Sequence, residues 1–202
     1  MFSRHALAAS WRDVRPYFIF SLILFFAAMV VGATPGGATE LIRDQVRAMA
    51  ELAQQTEAAD NPRLALFWLI FRKNLLACVM TMYLGIGAAI FPLVTMVLNG
   101  MVIGFLFSSM AEQGEQVWLL ALKGIVPHGI VELPALFLAA GFGMMLGVGV
   151  LRGIVGSLFG KTDPWGLFVR SLRGSVPALL ALLALLLLAA VLESTVTYSL
   201  MS

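Results

Sequence analysis

The residues best able to do chemistry lie together in the stretch Pro127-His128-Gly129-Ile130-Val131-Glu132-Leu133-Pro134-Ala135. His128 and Glu132 are four positions apart, so a helix sets both on one face, one turn from each other. An imidazole and a carboxylate in that relation can pass a proton, hold a polar ligand or clasp one another. The neighbours are apolar. An ionised carboxylate within a bilayer is costly unless paired, so such a residue faces a bundle interior or a wet cavity. Asn74 and Asn99 are the other polar side chains that could meet the pair, which makes His128, Glu132, Asn99 and Asn74 a candidate intramembrane polar cluster. Pro127 and Pro134 bracket it, and each lacks a backbone donor and so marks a helix kink or a freed carbonyl.

Three readings of this cluster stay open: a structural clasp that fixes helix register, a proton- or ligand-handling site in a transporter or flippase, and the centre of an intramembrane metalloprotease. The last needs three protein ligands for its metal, and the only other histidine is His5, near the N-terminus. The sequence carries no HExxH motif, no serine–histidine arrangement and no phosphate-cradling glycine loop with a lysine. The expectation is a noncatalytic protein with no metal and no cofactor. Cys78, the single cysteine, excludes an internal disulfide or a multi-cysteine metal site and reads as a small buried hydrophobe.

The elements that must position these residues follow from composition. Of 202 residues, 60% are hydrophobic and 12% charged, and the mean hydropathy is +0.95. Soluble domains sit near about 45–50% apolar and about 25% charged. Charge here is too sparse to coat a globule, so much of the surface must face lipid. The net charge of +2 is small and scattered, which argues against a nucleic-acid partner. A bilayer core needs roughly 20 apolar residues in helical form. The fold expected is all-α: a polytopic membrane helix bundle of about five transmembrane helices, with an extracytoplasmic amphipathic helix and an interfacial elbow helix, in a single membrane domain over 1–202.

The first span is expected over 16–33, opened by Pro16, with 1–15 as a cytoplasmic tail. Val31-Gly32-Ala33 also resembles a signal-peptidase site, so a cleaved leader is the rival reading. Over 34–61 the chain turns polar behind a Pro35-Gly36-Gly37 turn. There Ile42, Val46, Met49 and Ala53 recur at helical spacing, with Glu40–Arg43, Asp44–Arg47 and Arg47–Glu51 at pairing distance on the wetter face. The piece 64–71 is too short to span and ends at Arg72-Lys73, which reads as the elbow. Further spans are expected over 74–91, closed by a turn at Pro92, and over 93–110, 127–151 and 177–192, while 118–126 is open to a re-entrant reading. Arg4, Arg12 and Arg15 precede the first span, and Arg152, Lys161, Arg170 and Arg173 lie between the last two. The positive-inside rule makes their shared side cytoplasmic, with the N-terminus in and the C-terminus out, in a bacterial or archaeal cytoplasmic (inner) membrane.

Lipid gives helices no hydrophobic reason to associate, so small residues that let backbones approach carry more weight. Gly85 and Gly87 lie in the second span, Gly100 and Gly104 form a GxxxG in the third, and Gly143 and Gly147 form another in the fourth, extended by Gly141 and Gly149. These three spans are expected to form the tight core. The fifth, almost pure Leu and Ala, is expected to face lipid. The same glycine faces leave a homodimer open.

Asn74 opening a span, the small-residue run at Gly85 and Gly87, Asn99-Gly100 with Gly104, and above all residues 127–147 (PHGIVELPALFLAAGFGMMLG) resemble the stage II sporulation protein M (SpoIIM-like) family. Glu193 and Thr197 resemble that family's closing acid–threonine signature, and the likeness covers 63–197. It implies a polytopic membrane protein whose namesake takes part in septal peptidoglycan remodelling, together with a peptidoglycan hydrolase and a second membrane-anchored partner. No catalytic set comes with it. The function expected is a noncatalytic membrane component organising a cell-envelope complex, with the lipid bilayer and other membrane or envelope proteins as partners. The alternative is a small transporter, channel or lipid-handling protein using the His/Glu site.

Overall fold

Hydrocarbon offers no water to a backbone N–H or C=O, so a chain this apolar must satisfy those groups within its own helices. The computed structural model describes residues 3–34, 36, 40–114, 126–192 and 194–195, with the backbone alone at 53, 57 and 126–129. Among these residues there is no strand. The helices are α1 (Arg4–Gly32), α2 (Glu40–Glu57), α3 (Pro62–Tyr83), α4 (Ile90–Glu112), α5 (Val126–Leu158) and α6 (Gly166–Leu192), with a short 3₁₀ turn, Leu84–Ile86, extending α3. All but α2 are long and apolar enough to cross a bilayer, five among the described residues. The all-α polytopic bundle expected from composition is what the chain forms.

Local chemistry explains where the helices begin. Ser3 Oγ accepts the Ala6 N–H at 3.2 Å to cap α1, and Asn61 Oδ1 accepts the Leu64 N–H at 3.2 Å to cap α3, with Pro62 at the first helical position. Pro16 does not open α1 but lies within it, so 4–15 is helical and continuous with the span. Nor is 64–71 a separate elbow. No glycine or proline falls between Pro62 and Tyr83, and α3 runs unbroken through Arg72 and Lys73, whose side chains are exposed. The reversal between the second and third spans falls at Gly87–Ala89 instead of Pro92. Ala88 and Ala89 both adopt left-handed backbone (φ 56° and 64°), closed by an Ala89 N–H to Gly85 carbonyl bond of 2.8 Å. Pro92 instead sits in the first turn of α4, where its missing donor breaks no helical bond. The last two helices are longer than expected: α5 runs on to Leu158, and α6 begins at Gly166, so Arg170 and Arg173 are helical.

α5 is the hub. Of its most apolar window 72% is buried, against 33% or less for the other four spans. Its glycines do not form one stripe. A Cβ on Gly141 would crowd α1 at Phe18. One on Gly143 would strike the Thr81 carbonyl of α3, and one on Gly147 would strike the Ala89 nitrogen and the Gly85 carbonyl at the α3–α4 turn. On the third side a Cβ on Gly149 would come within 2.8 Å of the α6 backbone at Phe168.

The Gly100/Gly104 pair does not face this hub. It packs on α1, where side chains at these positions would collide with the Phe25 and Met29 carbonyls. The tight core therefore includes the first span. The fifth is not a purely lipid-facing helix either, for Ser171, Ser175, Ala178, Leu182, Leu186 and Ala189 form a buried face against the bundle. Its Leu187 and Leu188 remain exposed.

Polar and aromatic contacts lock the same arrangement. The Ser21 hydroxyl lies 2.7 Å from its own helix's Phe18 carbonyl and 3.2 Å from the Phe137 carbonyl of α5. Phe25 and Phe137 meet edge to face at 5.3 Å. Tyr83 Oη and Ser175 Oγ share a hydrogen bond of 3.3 Å between α3 and α6.

Adding one carbon at the hub is expected to unseat the turn. Gly147→Ala should lower unfolding stability in detergent by at least ~2 kcal/mol, or abolish accumulation in the membrane. Leu187→Ala on the outer face of α6 should change it by less than ~0.5 kcal/mol. Thermal or denaturant unfolding of the purified variants measures both.

Candidate intramembrane polar site

On α3, Asn74, Cys78, Thr81, Met82 and Gly85 recur at helical spacing, and the last four are buried. This face meets α5, as the Gly143 contact with Thr81 shows. Glu132, half-exposed on α5, lies within electrostatic reach of Cys78. The backbone at His128 is helical, one turn before Glu132, and its side chain lies outside the described residues. Pro134 lies inside α5, whereas Pro127 occupies the helix's first turn and so starts it instead of kinking it. Glu193, Thr197 and all of the 118–126 segment but Val126 lie outside the described residues, as does most of the Pro35-Gly36-Gly37 turn.

Asn99 belongs to a different setting. Its Nδ2 donates to the Thr95 carbonyl at 2.8 Å, and the Thr95 hydroxyl donates to the Phe91 carbonyl at 2.9 Å. Both residues line a groove between α3 and α4, a cavity of about 330 Å³ that also involves Gln45 of α2, Lys73 and Thr81. The structure thus divides the four expected residues. Asn74 shares the α5-facing side of α3 with Cys78, the neighbour of Glu132, while Asn99 joins Lys73 beneath α2.

Lys73 was missed as a site residue because two adjacent cations read as the end of an apolar piece. The signal that could have placed it is the lack of any helix breaker on either side. Its depth follows from the packing. α1 ends at Gly32 against Met101 of α4, two residues from Asn99. α4 continues to Glu112, about 16 Å further at the α-helical rise. Gly100, next to Asn99, rests on Phe25 of α1, so the groove lies one to two turns inside the end of α1, a depth from which a lysine can run its stem through hydrocarbon and carry its charge toward the headgroups. Thr81, toward the turn end of the groove, is fully buried and its hydroxyl has no hydrogen-bond partner among the described residues.

At the opposite end of the bundle, Arg152, Lys161 and Arg170 surround a cavity of about 610 Å³ together with Asp163. Arg170 also pairs with Asp13 at 3.2 Å. That pair is largely solvent-exposed and contributes little to stability. No group of three metal-ligating side chains occurs among the described residues.

Cys78 is 1% exposed, so a maleimide should leave it unmodified in the folded protein and modify it fully in hot SDS. Rapid modification in the native state, followed by mass spectrometry, would contradict the α3–α5 packing.

Set beside known proteins, residues 17–198 match the family model of Stage II sporulation protein M, beginning within α1 and so taking in more of the chain than the motifs alone suggested. An uncharacterized protein of Methanocaldococcus jannaschii is 24% identical over 181 residues, which cover 90% of this chain and 78% of that protein. No solved structure matches. With the family model covering nearly the whole bundle, the chain belongs to the stage II sporulation protein M family.

Proposed function

We propose that this protein is a noncatalytic membrane component that organises a cell-envelope complex, with α2 as the surface it offers to a partner. The observation that carries this reading is how α2 is held. Ile42 is fully buried and the helix packs against α3 and α4, yet Leu41 and Met49 stand exposed at 59% and 41%. Of the apolar face expected from spacing, Ile42 is anchored, Val46 is half-buried and Met49 is exposed, while the side chain of Ala53 lies outside the described residues. The wet face is charged, with Asp44 and Arg47 paired at 3.5 Å and both well exposed. A short amphipathic helix pinned near one end and apolar along its outer edge is suited to lie in a partner's groove.

Family membership supports an envelope setting, and the resemblance drawn from the motifs supplies peptidoglycan remodelling as the process. In this reading the protein sits in the cytoplasmic membrane with α2 on the outer side, where such a partner would be.

A photoreactive residue at Met49 should give a discrete protein adduct in living cells. Leu41→Ser with Met49→Ser should remove that partner from mild-detergent purifications without lowering the melting temperature. Ile42→Ser should instead loosen α2 itself. Adducts with lipid alone would overturn the reading.

A further inference from the structure

We propose that the groove between α3 and α4 binds the headgroup of an anionic phospholipid from the leaflet on the α2 side. Such a site does not depend on the complex-organising role. α3 and α4 are consecutive and joined by a tight turn, yet they touch each other little, because each packs chiefly on another helix. The gap between them is the groove, with Gln45 of α2 at its outer end.

The lining matches a phosphate monoanion in sign and in donors. Lys73 supplies the positive charge, and no carboxylate is among the described lining residues. Lys73 forms no ion pair with a described residue. Asn99 spends one amide N–H on the Thr95 carbonyl and keeps the second. Gln45 adds another amide.

Below this polar end the groove turns apolar, with Leu76, Met80 and Leu98 along its walls. A polar mouth whose lysine reaches toward the headgroups, over an apolar trough, is the shape of a lipid, with phosphate at Lys73 and acyl chain along α3 toward the turn. A free phosphate would use the mouth alone.

The test uses the full chain purified in mild detergent, with native mass spectrometry as the readout. Phosphatidylglycerol is compared with phosphatidylcholine of the same acyl chains. The wild type should retain one phosphatidylglycerol in clear preference to phosphatidylcholine. Lys73→Gln should cut that retention at least fivefold, and Lys73→Arg should preserve it. Arg152→Gln, in the basic cluster at the other end, should leave it unchanged. Equal loss in Arg152→Gln would show unspecific charge attraction, and displacement by inorganic phosphate would show a free-anion site; either result overturns the proposal. A second measurement needs no variant. Photoactivatable phosphatidylglycerol should label peptides spanning 73–80 and 95–99 of the wild type, and labelling confined to other helices would also overturn it.

Discussion

Two helices in lipid gain nothing by being apolar, so their association rests on how closely their backbones approach and on the few polar contacts that approach permits. In this bundle that constraint falls on α5. It is enclosed by α1, α3, α4 and α6, and along Gly141–Gly149 its surface lacks side chains where α1, the α3–α4 turn and α6 come in. The turn shows the constraint at its sharpest. Two successive alanines take left-handed backbone, a conformation disfavoured by roughly 1–2 kcal/mol per residue. They do so where the turn's backbone rests on Gly147. A bulkier residue at 147 would push the turn away, and with it the ends of both α3 and α4.

The polar groove is a consequence of this arrangement. α4 is drawn onto α1 through Gly100 and Gly104, while α3 is drawn onto α5 through Gly85 and Gly143. Helices joined by so short a turn but pulled to different partners must diverge, and they diverge toward α2. Lys73, Asn99 and Gln45 lie in the space that opens. α2 is held over it at Ile42, so the surface proposed for a partner and the groove share one anchoring helix. Glu132, half-exposed on α5 and within reach of Cys78, does not line this groove.

Much of this was legible in residue types. Hydropathy separated five spans from the amphipathic α2, and Gly143 and Gly147 marked the helix that became the hub. The boundaries were less legible, because proline is ambiguous: Pro16 sits inside α1 and Pro92 in the first turn of α4, where either could have marked an end. The Ala88–Ala89 turn left no trace, since alanine favours helix and only the tertiary contact with Gly147 sets its conformation. Spacing within α5 suggested a single glycine face, yet at 3.6 residues per turn Gly141, Gly143 and Gly149 point to three neighbours, and only packing says which. The partner of Gly100 and Gly104 was hidden for the same reason. Asn74 and Asn99 stand out as polar residues in apolar helices, but which groups each meets depends on helix rotation, which sequence does not encode locally.

The central claim, that α5 is enclosed by the other spans, is tested most directly by its access to lipid. Carbene footprinting from an acyl-chain-linked photoreactive lipid, in membranes and on the unmodified chain, reads that access residue by residue. Residues 139–147 of α5 should stay unlabelled, while Ile23 of α1, Ile90 of α4 and Leu187 and Leu188 of α6, all exposed, should be labelled. Labelling along 139–147 as strong as at those positions would place α5 at the lipid boundary and contradict the account.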